Sequence, residues 1–150
     1  MPKKKIIILL ILMIILNILF SIIPLNVPPL DSRIGYGLND VAEWTSSDDL
    51  YNYEGYFFTL DLIYPIVYAF FFYFIMKLRK LKFLFLPFIV AGFDYLENLG
   101  FLIVINMPFS QGFAMFIALI SLLKWISLGL LTLVLFEALV KSIWNKHTGG

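Results

Sequence analysis

Four apolar runs dominate this sequence, and each is long enough to carry a helix through the ~30 Å hydrocarbon core of a bilayer, which takes ~20 residues. They extend from about Ile6 to Ile23, Tyr56 to Met76, Phe83 to Ile105 and Phe113 to Val140. A chain built this way buries its apolar surface in lipid rather than in a water-shielded core. The expected fold is all-α, a four-helix transmembrane bundle forming one membrane domain over residues 1–150. Composition agrees: 61% of the residues are hydrophobic and 14% charged, where soluble domains carry about a quarter charged.

The first run follows Lys3, Lys4 and Lys5, as the core of a signal peptide would. It is longer than the ~7–15 residues of such a core, and Ser21-Ile22-Ile23-Pro24 supplies no small-residue cleavage site. It reads as a retained first helix. Pro24, Pro28 and Pro29 stop it, and Met107-Pro108 with Gly112 marks the turn between the third and fourth spans. Pro65 is expected to kink the second span, while Pro87 lies near the start of the third.

Orientation follows from the basic residues. Lys3, Lys4, Lys5, Lys77, Arg79, Lys80, Lys82, Lys141 and Lys146 flank span ends on one side, against Arg33 on the other. By the positive-inside rule the lysine-rich side is cytoplasmic. The expected localisation is therefore the cell membrane, multi-pass, with the N- and C-termini both cytoplasmic. The stretch 24–55 then forms a long extracytoplasmic loop. It carries Asp31, Asp40, Glu43, Asp48, Asp49 and Glu54, a pattern that first of all suits a solvated surface. The spacing of Val41, Trp44 and Leu50-Tyr51 predicts short amphipathic helical pieces, with Asn39 and Ser47 as N-caps. Such a piece would lie across the outer mouth of the bundle or rest at the interface, where Trp44, Tyr51, Tyr53 and Tyr56 suit the headgroup region.

The spans are not uniformly apolar. An ionised side chain at bilayer depth costs roughly 2.5–3.5 kcal/mol on insertion scales, yet Asp61, Asp94, Glu97 and Lys124 lie well inside. They are expected to face the bundle interior. Glu137 lies near the cytoplasmic end, within reach of Lys141. At a helical rise of ~1.5 Å per residue, Asp94, Lys124 and Tyr68 come level near the midplane; Glu97, Tyr64 and Asn17 form a layer above, and Asp61 lies higher still. Asp61, Tyr64 and Tyr68 share one helical stripe, and Asp94, Glu97, Asn98 and Phe101 another. Ser121, Lys124 and Ser127 share the polar face of the fourth span, beside the small Ala114 and Ala118, and Asn17 and Ser21 contribute from the first. Three carboxylates against one lysine do not balance. Lys124 with Asp94 is the best-matched pair, and Asp61 and Glu97 are the groups expected to be protonated, hydrated or held by a bound cation.

Several chemistries are excluded. A net charge of +1 gives no basic face for nucleic acid. Cysteine is absent, and His147, the single histidine, lies in the polar C-terminal tail, so neither thiol nor imidazole chemistry reaches the spans. An intramembrane aspartyl protease needs Gly-x-Gly-Asp, which Phe93-Asp94-Tyr95 does not supply, and four helices make a poor retinal pocket around Lys124. No cofactor or resident metal is implied. Oxygen ligands suit hard divalent cations, and carboxylates beside tyrosines suit acid–base chemistry on a lipid, but neither is specified by these residues.

Three segments in order carry a resemblance: Asp61-Leu62-Ile63-Tyr64-Pro65-Ile66-Val67-Tyr68, Phe93-Asp94-Tyr95-Leu96-Glu97-Asn98 and Leu123-Lys124-Trp125. Together they resemble an uncharacterised family of small four-helix membrane proteins, mostly bacterial. The likeness covers the second to fourth spans and the end of the outer loop. It implies the residue constellation without implying a reaction. A looser similarity is to the sterol-isomerase-like and sigma-2-like four-helix proteins, whose buried carboxylates serve a lipid-facing pocket; the isomerases also use a histidine, which this chain lacks in its spans. Three readings follow. Asp61, Tyr64, Tyr68, Asp94, Glu97, Asn98 and Lys124 line a pocket that binds or carries a small amphiphile or a cation. Alternatively they modify a lipid or sterol, with Asp61 or Glu97 as acid–base. Or they hold together a structural or assembly subunit.

Overall fold

The computed structural model describes residues 2–22, 36–46, 55, 60–106 and 110–148. Among them the chain is all-helical. Five helices follow in order: α1 (Pro2–Ile22), α2 (Leu38–Thr45), α3 (Tyr64–Leu78), α4 (Leu86–Asn106) and α5 (Gln111–Thr148). α1, α4 and α5 are long and apolar enough to cross a membrane. α3 is equally apolar but has 15 residues, about 22 Å at ~1.5 Å per residue.

Most boundaries fall within a few residues of the sequence expectation, and the departures have local causes. The second span was expected from Tyr56; the described helix begins at Tyr64, and Leu60 to Ile63 form a turn closed by the Ile63 N–H donating to the Leu60 carbonyl at 3.0 Å. Residues 56–59 lie outside the described set. Pro65 therefore does not kink the span. It stands in the first turn of α3, where a missing N–H leaves no helical carbonyl unserved. α5 continues to Thr148 instead of stopping near Val140, with Lys141 paired to Glu137 one turn back.

The helices pack in succession, α1 on α3, α3 on α4 and α4 on α5. α4 and α5 approach most closely at Gly100, where a Cβ would stand 2.7 Å from Cγ1 of Ile117; absence of a side chain is what lets these backbones close up. At one end of the bundle, Met76 and the half-buried Leu81 and Leu84 from the α3–α4 turn meet Leu131 and Leu135 of α5. That turn reverses the chain with Lys80 and Phe83 in left-handed conformations (φ 53° and 61°) and a Leu81 N–H bond to the Met76 carbonyl. Lys5 Nζ lies 5.3 Å from the centre of the Phe74 ring, so the basic start of α1 stands beside the basic end of α3.

The opposite end is covered by α2. Val41 and Trp44, the two apolar residues of its inner face, are buried against Phe101 and Val104 of α4 and Ala114 and Ile117 of α5, with the Trp44 and Phe101 ring centres 5.2 Å apart. Trp44 is thus a core residue and not a headgroup anchor. Asn39 does not cap this helix. Gly37 holds the N-cap position, and its N–H donates to the Asp40 carboxylate at 2.7 Å, so the side chain that satisfies the helix start comes from inside it. Ser47, Leu50, Tyr51, Tyr53 and Tyr56 lie outside the described residues.

Candidate functional site

Midway along the bundle the polar stripes meet. Asp61, Tyr68, Asp94, Glu97, Asn98 and Lys124 are all buried and Tyr64 is half-buried, while many isoleucine, leucine and phenylalanine side chains of the described helices face outward. Lys124 on α5 is the centre of the arrangement. Its ammonium donates to Asp94 Oδ1 at 3.1 Å and pairs with Glu97 Oε2 on the next turn of α4. The expected Lys124–Asp94 pair is therefore present, but Glu97 shares the same lysine. Asp94 and Glu97 are one helical turn apart, so an ammonium facing α4 meets both.

Two tyrosines extend the network in opposite directions. From α3, the Tyr68 hydroxyl donates to Asp94 Oδ2 at 3.0 Å. From the segment leading into α2, the Tyr36 hydroxyl donates to Glu97 Oε1 at 3.0 Å. A continuous chain of polar contacts, Tyr36–Glu97–Lys124–Asp94–Tyr68, thus joins the covering helix to three of the long ones. Nothing in the sequence singled out Tyr36; it lies in the outer loop, far from any motif, and only its burial identifies it.

A cavity of about 480 Å³ opens beside this chain, bounded by α1, α3, α4 and α5. Its polar walls are Asn17, Asp61, Tyr64, Tyr68, Asp94 and Lys124, and its apolar walls include Phe20, Phe72 and Trp125. Asn17 donates to the Tyr64 hydroxyl at 3.1 Å, which places α1 and α3 in the register their depth implied. The Tyr64 and Tyr68 rings meet edge-on, 5.6 Å between centres. Five of the seven residues expected at the site therefore line one cavity.

Glu97 and Asn98 do not line it. Glu97 lies behind Lys124, facing Tyr36. Asn98 is fully buried, and among the described residues both atoms of its amide lack a hydrogen-bond partner, as does Ser121 Oγ on α5. Ser21 turns back to the Asn17 carbonyl of its own helix and adds nothing to the site. Tyr95, within the Phe93–Asn98 motif, reaches instead for the Leu62 carbonyl and ties the turn before α3 to α4.

Among the described residues no three acidic or histidine side chains gather as metal ligands. What the described residues bring together is one ammonium, three carboxylates, tyrosine hydroxyls and aromatic faces. Comparison with protein-family models, curated proteins and solved structures finds no match for this chain.

Proposed function

We propose that the chain crosses the membrane four times, with both termini cytoplasmic, and that its buried acid–tyrosine–lysine cavity binds or carries a small amphiphile or a cation. The observation that carries this reading is the cavity itself: about 480 Å³, walled by two carboxylates, two tyrosines and a lysine that is already shared with a third carboxylate. A purely structural ion pair needs no empty volume beside it, and buried charges within spans mark ligand or ion sites by default. The likeness to the small four-helix family belongs to this proposal too, since its three motifs supply Asp61, Tyr64, Tyr68, Asp94 and Lys124 to the cavity wall.

Native mass spectrometry of the protein, released from the membrane in mild detergent, tests the proposal. A small molecule or ion retained by the wild type and lost from a folded Asp61→Asn variant is the expected result. If Asp61→Asn and Glu97→Gln change neither folding, nor bound mass, nor any cellular phenotype, the binding reading is wrong. One observation favours a structural role for part of the cluster: Glu97, held between Lys124 and Tyr36, secures the covering helix. A lipid-modifying role with Asp61 as acid–base would require the retained molecule to be altered on incubation with the wild type and not with Asp61→Asn.

A further inference from the structure

Outside the cavity, the lysine-rich end of the bundle gathers cations from two parts of the chain. α1 opens with Lys3, Lys4 and Lys5, α3 carries Lys77 in its last turn, and Lys80 and Lys82 follow in the turn to α4; all six are exposed. Their own segments offer them no acid, since residues 1–30 and 62–93 hold neither aspartate nor glutamate. Among the described residues the acids lie elsewhere. Asp40 and Glu43 stand on α2 at the opposite end, Asp61, Asp94 and Glu97 are buried in the interior, and Glu137 is engaged by Lys141.

Two of these lysines stand over a platform of rings. Lys5 Nζ lies 5.3 Å from the centre of Phe74, and Lys77 Nζ lies 5.6 Å from that of Tyr73. The two rings are themselves 5.3 Å apart. Phe88 of α4 meets Tyr73 at 5.6 Å and Phe70 at 5.5 Å, so aromatic contacts run back along α3 from the ammoniums. Phe70 and Phe88 are exposed, and Tyr73 and Phe74 are half-buried. Ring faces attract the ammoniums and so hold a lysine of α1 beside one of α3, but they do not neutralise either. The complement of this place is an anion at the rim of an apolar surface.

A phospholipid has that form, with phosphate at one end and hydrocarbon below it. A soluble phosphate would meet the lysines and leave the rings uncovered, while a zwitterionic lipid would bring its own cation to a basic rim. Basic clusters beside the ends of membrane helices recognise anionic headgroups on these grounds.

We propose that this rim holds one anionic phospholipid, its phosphate between Lys5 and Lys77 and an acyl chain against Phe70, Phe74 and Phe88. The proposal rests on the chain being inserted in a membrane and is independent of what the cavity binds.

The protein in mild detergent is titrated with dioleoyl phosphatidylglycerol or dioleoyl phosphatidylcholine, and native mass spectrometry counts the lipids retained. One phosphatidylglycerol per chain is expected, saturating well before phosphatidylcholine does. Lys5→Gln with Lys77→Gln should raise the half-saturating concentration roughly 10- to 30-fold, the combined effect of two lysines beside an anionic headgroup. Lys3→Gln with Lys82→Gln removes the same charge and leaves the two ring-bound lysines in place. It should raise that concentration about threefold or less, because screened charges act weakly at a distance. All four lysines are exposed, so both double variants should unfold at the wild-type temperature.

Equal retention of the two lipids would overturn anionic recognition. Equal weakening by the two double variants would overturn the site and leave only diffuse attraction between a basic end and a charged surface. Displacement of the lipid by glycerol 3-phosphate at matched concentration would make this a soluble-phosphate site instead. A retained lipid that survives Lys5→Gln with Lys77→Gln and is lost from Asp61→Asn would belong to the cavity, overturning this placement while supporting the cavity as a binding site.

Discussion

Lys124 holds two carboxylates at once, which changes what substitution at either should do. Asp94→Asn leaves the ammonium paired with Glu97, and Glu97→Gln leaves it paired with Asp94, so each single change is expected to cost about 1 kcal/mol, an ordinary hydrogen bond. Lys124→Met strands both acids in the interior and should cost about 3–5 kcal/mol. Thermal unfolding in detergent distinguishes these, and restoring the Lys124→Met protein by adding Asp94→Asn and Glu97→Gln would complete the argument. Equal losses from all three single variants would show that the charges act independently. Asn98 presents the converse case. Its amide is fully buried and unpartnered among the described residues, so Asn98→Leu removes an unmet polar demand, and the variant should be as stable as wild type or up to about 1 kcal/mol more so. A loss of stability on Asn98→Leu would mean that something polar, water included, normally sits against that amide.

At the scale of elements, α2 and the residues leading into it are held to the bundle, among the described residues, by Val41, Trp44 and Tyr36, whose hydroxyl also bonds Glu97. Trp44→Ala removes the larger anchor and should cost about 3–5 kcal/mol of local stability at most, the range for a buried aromatic. Because, among the described residues, α2 packs on the Phe101–Ile117 end, the loss should show as faster amide exchange in residues 36–46, with α4 and α5 protected as before. Tyr36→Phe keeps the ring on Phe101 and loses the bond to Glu97, so it should produce a weaker version of the same change. Gly100→Ala acts one layer lower. Its Cβ would stand 2.7 Å from Ile117 Cγ1, and prying α4 from α5 should cost about 1–3 kcal/mol, with Ile117→Ala recovering part of the loss. Of these features, the short helix carrying Val41 and Trp44 was legible in the sequence, because an amphipathic period needs no knowledge of partners; that Trp44 is buried in the core and not at the headgroups was not. Neither was the N-cap: Asn39 has the right chemistry, but the helix starts two residues earlier, at Gly37, whose own N–H is met by Asp40 three residues on. The role of Pro65 was equally ambiguous, since apolar residues continue through it and nothing in composition separates a span from the turn that starts it.

For the whole molecule, the sequence exposes which residues converge more readily than what they enclose. Helical rise alone placed Tyr68, Asp94 and Lys124 at one level, and they do meet. Depth counting cannot rank two carboxylates on consecutive turns of one face, so Glu97 was read as a cavity group when it lies behind the lysine. Nor can it reveal that Phe20, Phe72 and Trp125 wall a cavity, because lipid-facing and cavity-facing residues are equally apolar. The number of crossings rests on α3, whose 15 residues are fewer than a straight span needs. Its end argues for crossing: Lys77 lies in its last turn and Arg79, Lys80 and Lys82 follow it, and moving that many cations to the outer face opposes the bias that orients membrane proteins. A chain without cysteine allows a direct test. Single cysteines at Glu43, Lys82, Ser110 and Lys141, all exposed, are exposed to a membrane-impermeant maleimide on intact cells. Four crossings with cytoplasmic termini require labelling at Glu43 and Ser110, and at Lys82 and Lys141 only after permeabilisation. If α3 fails to cross, Lys82 joins Glu43 on the outside, α4 and α5 both invert, and Lys141 is labelled while Ser110 is protected. The two patterns differ at three of the four positions, so one experiment decides whether the basic turn after α3 lies beside the basic start of α1 because both face the cytoplasm.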